Sequence, residues 1–367
     1  MDKTQDYIKL MNSSMRSLFM DALKVSVNQP NLAYFILKTI LWQRRAAVKR
    51  MQWERKGTHV PPFMIASITQ SCNLNCKGCY AMVHSTAGSE DMDIKRWSEL
   101  MSEAQELGIS IALLAGGEPF SRRDFMEITK ENKEIIFPVF TNGLLIDDSI
   151  INQLKIQRNV VPVISLEGFQ QETDDRRGKG VYERTRSVMN KLNSSSIFFG
   201  TSLTVTCENF DTLTSEEFVR SQMEKGCRLF FYVEYTPVES GTEQLVITSE
   251  QRKELDNILN TFRRKFKGIF IAFPGDEKNY GGCLSSGRGF VHINPKGNLE
   301  PCPFAPFSDV NVKEMPLKEA LKSNFLKTLR ESPEHLRETE GGCALFANRE
   351  WVKSMLEAKD KPNYRTE

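Results

Sequence analysis

Three cysteines lie within eight residues, in the stretch Ser71-Cys72-Asn73-Leu74-Asn75-Cys76-Lys77-Gly78-Cys79-Tyr80. The spacing Cys-x3-Cys-x2-Cys lets one tight loop direct three thiolates at an iron–sulfur cube, while the fourth iron keeps an open coordination position. Zinc is the alternative, but a closed structural zinc site needs a fourth Cys or His, and His84 is the only local candidate. The spacing therefore favours a [4Fe-4S] cluster on Cys72, Cys76 and Cys79.

The composition is that of an ordinary globular protein. The chain has 367 residues, of which 40% are hydrophobic, enough for a large domain with a buried core. Its 49 Lys and Arg against 47 Asp and Glu give a net charge of +2, so no global field recruits nucleic acid. Eight cysteines without a signal-peptide pattern favour a cytoplasmic location, and their grouping favours metal binding over disulfides.

Between Pro61 and about Pro237, short apolar runs alternate with amphipathic helical patterns. This alternation is typical of βαβ units and predicts an α/β fold built on a parallel sheet. Six strands are too few for an eight-unit barrel, but parallel α/β folds bind ligands at the carboxyl ends of their strands. The predicted strands are 63–69, 111–115, 136–141, 161–167, 198–206 and 229–235.

Residues suited to holding a small molecule follow two of these strands. Gly116 and Gly117 permit close backbone approach, and the carboxylate of Glu118 beside them can hold an ammonium group. Ser165 and Glu167 place polar side chains after an apolar run, which suggests contacts to hydroxyl groups or to a carboxylate. Both groups belong to the same edge of the predicted sheet.

Two further charged positions allow more than one interpretation. In Asp174-Asp175-Arg176-Arg177-Gly178, the guanidinium group of Arg177 suits a carboxylate ligand, although Arg176 is equally available and the loop could simply be solvated. Glu234 is a polar residue near the end of the sixth strand, where it could bind substrate or accept a proton. A salt bridge at the barrel rim is the alternative for Glu234.

The cluster loop and the motifs that follow it resemble those of the radical S-adenosylmethionine (radical SAM) enzymes. The shared features are the three cysteines followed by an aromatic residue, and then four motifs in the family's order. That resemblance implies an open, partial (β/α)6 TIM-like barrel. It also implies reductive cleavage of SAM to a 5′-deoxyadenosyl radical that takes hydrogen from a substrate. The four motifs are Gly116-Gly117-Glu118-Pro119, Thr141-Asn142-Gly143, Ser165-Leu166-Glu167-Gly168 and Asp174-Asp175-Arg176-Arg177-Gly178.

The resemblance also implies roles for individual residues. Glu118 would hold the methionine amino group of SAM, and Arg177 would reach its carboxylate. Tyr80, through its backbone, and Val205 would lie near the adenine, although both suit ordinary loop or core positions. The implied cofactor-binding residues are Tyr80, Gly116, Gly117, Glu118, Pro119, Asn142, Ser165, Glu167, Arg177 and Val205.

A second group of cysteines lies near the carboxyl terminus. Cys283 and Cys302 flank a predicted hairpin, with a strand over 290–294, a turn over 295–298 and a partner over 299–301. Their spacing resembles the auxiliary-cluster domains called SPASM or twitch. Only Cys343 follows, so we expect one auxiliary iron–sulfur cluster, presumed [4Fe-4S], on three cysteines, with a fourth ligand that is absent, non-cysteine or the substrate. Zinc is again the alternative.

The first 60 residues predict two helices, over 15–27 and 32–53. The second carries basic residues and an apolar core shorter than the roughly 20 residues of a membrane span. The basic residues could rest on an anionic membrane or hold an acidic partner, or the helix could pack against the barrel with a solvated basic face. These residues are Arg44, Arg45, Lys49, Arg50, Arg55 and Lys56. We expect three regions: a helical arm over 1–60, the barrel over 61–240, and a linker helix with the auxiliary domain over 241–367. A final helix over roughly 344–359 is expected to close the auxiliary domain.

The sequence leaves the substrate open. By resemblance, a peptide or protein side chain is the first expectation, and a lipid, isoprenoid or other small molecule is the alternative. An electron donor such as ferredoxin or flavodoxin would be a partner. A non-catalytic electron carrier or sensor would use the same clusters, but it would have no need of Glu118, the Thr141-Asn142-Gly143 turn or Arg177.

Overall fold

A computed structural model describes residues 3–26, 30–85, 90–274, 277, 280–337 and 343–357. The strands are β1 (Phe63–Thr69), β2 (Ile111–Gly116), β3 (Phe137–Thr141), β4 (Val160–Leu166), β5 (Gly200–Val205), β6 (Leu229–Glu234), β7 (Ile269–Phe273), β8 (Phe290–Ile293) and β9 (Leu299–Glu300). The helices up to β7 are α1 (Lys3–Val25), α2 (Pro30–Arg55), α3 (Tyr80–Val83), α4 (Ile94–Leu107), α5 (Phe125–Glu131), α6 (Asp148–Ile156), α7 (Gln170–Arg177), α8 (Val181–Ser194), α9 (Phe210–Leu213), α10 (Glu216–Glu224) and α11 (Ser249–Lys265). Five helices follow β9 in the described residues, namely α12 (Leu317–Ala320), α13 (Asn324–Arg330), α14 (Pro333–Leu336), α15 (Ala344–Ala347) and α16 (Arg349–Glu357).

The strands form one open sheet in the order β7-β6-β5-β4-β3-β2-β1-β8-β9. Strands β1 to β8 are parallel to their neighbours, and β9 is antiparallel to β8. The predicted partial α/β barrel is therefore confirmed, and each of its six predicted strands is present within two residues at either end. Because all parallel strands end at one edge, the loops that follow them share that edge.

Strand β7 is not among the six predicted strands, and strand β8 joins the sheet through a pairing that the sequence does not predict. β7 extends the sheet beyond β6, with Leu229 opposite Ile269. The predicted hairpin forms as β8 and β9, but β8 also pairs with β1, with Ile65 opposite His292. The second cysteine group is therefore attached to the barrel's own sheet.

The two faces of the sheet carry different cores. The outer face packs against the connecting helices through a large cluster that includes Trp97 and Tyr232. The inner face, opposite those helices, packs against α1 and α2 through a second cluster that includes Ile36, Val163 and Phe231. A cavity of about 740 Å³ lies between α1, α2 and the amino-terminal halves of the strands. The arm thus closes the end of the barrel opposite the cysteine loop.

Part of the basic face of α2 is structural. Arg50 is 5% exposed and donates to the Gly108 carbonyl at 2.5 Å and to Asn12 Oδ1 at 2.6 Å. Lys49 donates to the Gln105 carbonyl at 2.9 Å. Burial lowers the pKa of Arg50 to about 10. Two of the basic residues considered for membrane contact therefore fasten the arm to α4.

Two helix ends predicted from the sequence lie outside the described residues, namely the end of the first helix at 27 and the end of the last at 359. The predicted last helix is interrupted, since α15 ends at Ala347 and α16 begins at Arg349. None of the helices in the described part of the chain has both the length and the hydropathy of a membrane-spanning segment.

Candidate active site at the cysteine loop

The loop with Cys72, Cys76 and Cys79 follows β1 and is fastened on two sides. Lys77 exchanges hydrogen bonds with Arg176 at the end of α7: its N–H donates to the Arg176 carbonyl at 3.0 Å, and Arg176 Nε donates to the Lys77 carbonyl at 3.1 Å. On the other side, Asn142 Nδ2 donates to Asn73 Oδ1 at 2.8 Å. Motifs that are distant in sequence therefore fix the loop in place.

The three thiols are free and partly buried. Burial raises the pKa of the Cys72 thiol, and the N–H of Leu74, which donates to Cys72 Sγ at 3.4 Å, opposes that rise. Burial likewise raises the pKa of the Cys76 thiol, and the guanidinium groups of Arg177 and Arg176 oppose it. A backbone donor and nearby positive charge both stabilise thiolates, the form in which cysteine binds iron.

Glu118 is held rigidly at the edge of the sheet. It is 1% exposed, and its Oε1 accepts from the Phe120 N–H at 3.0 Å and the Thr141 hydroxyl at 2.7 Å. Its Oε2 accepts from the Asn142 N–H at 2.8 Å. Burial raises the pKa of Glu118, while these donors and the charge of Arg177 lower it. The Thr141-Asn142-Gly143 turn thus positions the carboxylate predicted to hold an ammonium group.

The two glycines before Glu118 serve a contact within the protein. A Cβ at Gly117 would lie 2.2 Å from the Ser71 carbonyl oxygen, and one at Gly116 would lie 2.3 Å from that of Thr69. The Gly117 N–H donates to the Thr69 carbonyl at 2.8 Å, and the Glu118 N–H donates to the Ser71 carbonyl at 2.8 Å. The sequence predicted close approach to a ligand, but in the structure the nearest atoms are the backbone that leads into the cysteine loop.

Glu167 is the centre of a charged cluster on the opposite side of the loop. It is 1% exposed, and its Oε1 accepts from Arg177 at 2.8 and 2.5 Å and from Arg176 at 2.7 Å. Its Oε2 is buried without a hydrogen-bond partner among the described residues. A buried acceptor lacking a donor is costly, so this oxygen fits a hydroxyl or amine of a bound molecule.

The inner face of the barrel changes character along the strands. Near their amino ends it is apolar, as at Val161 and Val163 of β4, whereas Ser165 lies beside Ser202 near the carboxyl ends. Val205 is fully buried in the outer core against the helices. The structure therefore brings Ser165 toward the cysteine-loop edge, but it does not group Val205 with it.

Glu234 lies in an ion pair. It is 6% exposed, and its Oε2 accepts from Arg252 Nε at 2.8 Å. Its negative charge contributes to the raised pKa of Cys343, so the pair lies near the second cysteine group. This is the salt bridge that the sequence left open as an alternative, and a catalytic role for Glu234 remains a prediction.

The second group of thiols converges as the hairpin predicts. Burial raises the pKa of Cys283 and Cys302 well above the ordinary value and that of Cys343 to about 12. The charge of Cys343 also raises the pKa of Cys283 and Cys302, and the charge of Glu277 raises the pKa of all three thiols. The backbone N–H groups of Ser285, Phe304 and Phe346, which lie just beyond Cys283, Cys302 and Cys343 respectively, oppose this rise in the thiol pKa. This device matches the Leu74 bond to Cys72.

Within the described ranges, no three His, Cys, Asp or Glu side chains form a group that could hold one metal ion. An iron–sulfur cluster and a zinc ion at Cys283, Cys302 and Cys343 therefore both stay predictions.

A cavity of about 380 Å³ has walls that include His84, Pro237, Phe304 and Phe346. Tyr80 packs edge-on against Phe304, with ring centroids 5.3 Å apart. The cavity is therefore bounded by residues that follow each of the two cysteine groups closely in sequence.

A buried hydrogen-bond network that the sequence motifs do not predict joins β1 and β8. Ser67 and His292 Nε2 are 2.8 Å apart, and His292 Nδ1 lies 2.7 Å from Glu300 Oε2. Asn294 Nδ2 donates to Glu300 Oε1 at 2.6 Å. A histidine in the middle of the apolar strand 290–293 was the available signal, but its partner Ser67 is known only once β8 is seen to pair with β1.

Comparison with known proteins agrees with this architecture. Residues 66–218 match the family model of the radical SAM superfamily. The AdoMet-dependent heme synthase of Methanosarcina barkeri is 27% identical over 315 residues, covering 78% of this chain and 89% of that protein. The PqqA peptide cyclase of Rhizobium meliloti is 27% identical over 314 residues, covering 77% of this chain and 82% of that protein.

A solved structure shares the fold. Streptococcus suis SuiB bound to precursor peptide SuiA matches with a TM-score of 0.62 and 16% identity, covering 83% of this chain and 81% of that chain. The family match begins within β1 and includes the cysteine loop, the glycine motif and the Glu167 cluster. Members of this family bind a [4Fe-4S] cluster and SAM. Residues 66–218 therefore form a radical SAM domain, and the chain is a radical SAM enzyme.

Proposed function

We propose that this enzyme modifies a peptide or protein side chain, using a first cluster on Cys72, Cys76 and Cys79 and an auxiliary iron–sulfur cluster on Cys283, Cys302 and Cys343. The observation that carries the proposal is the cavity whose walls include residues that closely follow the cysteines of each group, namely His84, Phe304 and Phe346. A substrate bound there would lie between a site of radical formation and a second redox centre. The PqqA peptide cyclase and the peptide-bound SuiB structure support a peptide as the occupant.

The residues of the chain would act mainly by binding and orienting. Bound together, the first cluster and SAM supply a carbon radical that takes hydrogen from the substrate. Glu118 would accept the ammonium group of SAM in charge-assisted hydrogen bonds, and Arg177 would hold its carboxylate. The open oxygen of Glu167 fits a cofactor hydroxyl. The apolar walls of the cavity would exclude water from the reacting atoms.

The order and spacing of the three auxiliary cysteines resemble those of a SPASM or twitch domain. Burial, together with backbone N–H groups that lower the pKa of each thiol, supports Cys283, Cys302 and Cys343 as thiolate ligands of an iron–sulfur cluster. These residues would hold a cluster that supplies a second redox centre, able to take up an electron from the substrate after hydrogen abstraction. Ferredoxin or flavodoxin would reduce the first cluster.

A small molecule is the second candidate substrate, because the heme synthase of Methanosarcina barkeri is similar over 89% of its length. One experiment separates the two classes. The reduced, reconstituted enzyme would be incubated with SAM and with deuterium-labelled cell fractions, either low-mass peptides or an organic-solvent extract. The parallel control is the Cys79→Ala variant, which should form no 5′-deoxyadenosine.

Transfer of deuterium into 5′-deoxyadenosine from the peptide fraction alone would support the proposal. Transfer from the solvent extract alone would replace it with the small-molecule candidate. No 5′-deoxyadenosine from any sample, with the first cluster intact, would contradict SAM cleavage itself.

The arm carries a further partner proposal, contact with an anionic membrane. One side of α2 exposes large apolar residues, with Tyr34 71%, Leu37 51% and Leu41 54% accessible. Arg44 and Arg45, both exposed, lie on the same helix. An apolar stripe with basic neighbours suits the surface of an anionic bilayer, where each basic residue contributes about 1 kcal/mol.

A further inference from the structure

The cavity between the arm and the sheet has roughly twice the volume of the cavity bordered by His84 and Phe304. Its volume of about 740 Å³ is within the range of small-molecule sites, about 300–1,000 Å³. Atoms that border such a space lack the dispersion contacts of a packed core, so an apolar occupant would gain them. The apolar side chains in its walls include Met15, Phe19, Ile36, Val161, Leu229 and Ile269.

A layer of aromatic rings lies at the boundary between this cavity and the polar half of the barrel. Phe231 contacts Phe140 and Phe273, with ring centroids 5.1 and 6.2 Å apart respectively. Phe231 and Phe273 belong to the cavity wall, and Phe231 lies beside Ser202 in the sheet. A molecule in the cavity would therefore lie on the side of these rings that faces away from the cysteine loop.

Charged residues also border the cavity, and basic ones outnumber acidic ones in the described part of the wall. Asp21 and Lys24 offset each other, since Lys24 Nζ lies 2.8 Å from Asp21 Oδ1. The Glu277 carboxylate accepts from the Leu284 N–H at 3.2 Å. Both acidic side chains are therefore engaged within the protein. The charged wall residues are Asp21, Lys24, Arg158, Arg263, Lys267 and Glu277.

Two of the basic wall residues lie at the amino-terminal edge of the sheet. Arg158 and Lys267 come two residues before β4 and β7 respectively. Arg158 is half-buried and Lys267 is exposed. Neither side chain has an ion-pair or hydrogen-bond partner among the residues that the structure describes. An anionic group at this edge would therefore meet two cations that no described acidic side chain neutralises.

We propose that this cavity binds a single-chain amphiphile with an anionic head group, such as a long-chain fatty acid. The chain would lie among the apolar residues of the arm and the sheet, with its head group at Arg158 and Lys267. Palmitate takes roughly 500 Å³, at about 30 Å³ for each of its water-sized groups, so it fits the space. The site is at the opposite end of the barrel from the cysteine loop, and it does not depend on which substrate is modified there.

The test uses the full-length reconstituted protein and tritium-labelled palmitate, with binding measured by equilibrium dialysis below the concentration at which palmitate aggregates. The head-group variant is Arg158→Glu with Lys267→Glu. Its matched control is Lys155→Glu with Arg264→Glu, which makes the same change of charge at exposed residues of α6 and α11 outside the cavity wall. Circular dichroism checks that each variant is folded.

Two further arms test the apolar part of the site. Saturated carboxylates from octanoate to arachidate measure how affinity depends on chain length, and hexadecanol has a chain of palmitate length without its charge. Ala22→Phe adds a ring to the wall that α1 forms. This variant leaves Arg158 and Lys267 in place, so it tests the cavity independently of the head-group site.

The wild-type protein should bind palmitate saturably, with affinity rising about fourfold for each added methylene and levelling off once the cavity is filled. The head-group variant should bind palmitate about fivefold more weakly, whereas its control should match the wild type. Hexadecanol should bind equally to all three proteins. Ala22→Phe should shorten the chain length at which affinity levels off.

No saturable palmitate binding by the folded wild-type protein would overturn the proposal. Equal losses in the head-group variant and its control would also overturn it, because the effect would then belong to net charge. The same chain-length dependence in Ala22→Phe and the wild type would mean that the chain lies outside the cavity.

Perdeuterated palmitate tests whether this site is separate from the catalytic one. With SAM and a reductant present, bound palmitate should leave 5′-deoxyadenosine unlabelled. Deuterium in 5′-deoxyadenosine would place the chain at the radical centre and overturn a separate site. Failure of the peptide fraction to transfer deuterium would contradict the proposed substrate and leave the palmitate result unaffected.

Discussion

Replacing Glu118 by Gln should weaken SAM binding strongly while leaving the fold intact. The carboxylate is 1% exposed and is held by Phe120, Thr141 and Asn142, so it cannot rotate away from its position. A charge-assisted hydrogen bond to the SAM ammonium group contributes roughly 1.5–3 kcal/mol, which corresponds to about a 10- to 150-fold loss of affinity. Gln keeps the side-chain volume, so the core beneath it stays packed.

The matched control is Thr141→Val, which removes one donor to Glu118 and leaves the charge in place. Its effect should be about 1 kcal/mol, or about fivefold in affinity. Both variants would be reconstituted without oxygen, and SAM affinity would be measured by equilibrium dialysis with labelled SAM, referred to the iron content of each sample. Wild-type affinity in Glu118→Gln, or equal losses in the two variants, would refute the assignment of Glu118 to the ammonium group.

The pH dependence of binding gives the same assignment a second check. Only the ionised carboxylate attracts an ammonium group, and burial raises the pKa of Glu118. As pH falls, affinity for SAM should therefore decline at a higher pH than an exposed glutamate would cause. Glu118→Gln has no charge to lose at this position, so this decline should be absent. A decline of equal size in the variant would assign the titration to another group.

Three further predictions concern the framework around the site. Gly117→Ala should cost about 2–3 kcal/mol of stability in thermal unfolding, because its Cβ would lie 2.2 Å from the Ser71 carbonyl oxygen; an unchanged midpoint would show that the loop moves freely. Arg50→Met should cost about 1–3 kcal/mol by leaving the Gly108 carbonyl and Asn12 without their donor, whereas Arg44→Met at an exposed site should have little effect. If α2 contacts membrane, Leu37→Glu with Leu41→Glu should abolish co-sedimentation with anionic vesicles, and Ile156→Glu, at an 82% exposed site on another helix, should not; a wild-type protein that stays in the supernatant would contradict the contact.

Much of the barrel could be predicted from the sequence because its signals are local. Each strand is a short apolar run, and its binding residues follow directly in the chain. Strand β7, although equally apolar, is not among the six predicted strands, because it follows the charged helix α11 and lies beyond the alternating segment between Pro61 and Pro237. The pairing of β8 with β1 joins residues more than 200 positions apart, as at Ile65 and His292, and no local pattern encodes it.

In the candidate site, too, residues with a local sequence signal could be predicted, and residues whose position depends on the folded sheet could not. The cysteine spacing and Glu118 could be identified because their residue types and order carry a chemical requirement. Val205 could not be assigned to a face, because both faces of a parallel sheet are covered and both sides of a strand read as apolar.

The claim of two clusters in one chain is tested most directly by iron and sulfide analysis after anaerobic reconstitution. The wild-type protein should hold about eight irons per chain, and each triple Ala variant, of Cys72, Cys76 and Cys79 or of Cys283, Cys302 and Cys343, should hold about four. Mössbauer spectra should show a separate [4Fe-4S] signal in each variant. About four irons in the wild type, with none lost when the second group is replaced, or zinc in place of iron at that group, would contradict the account.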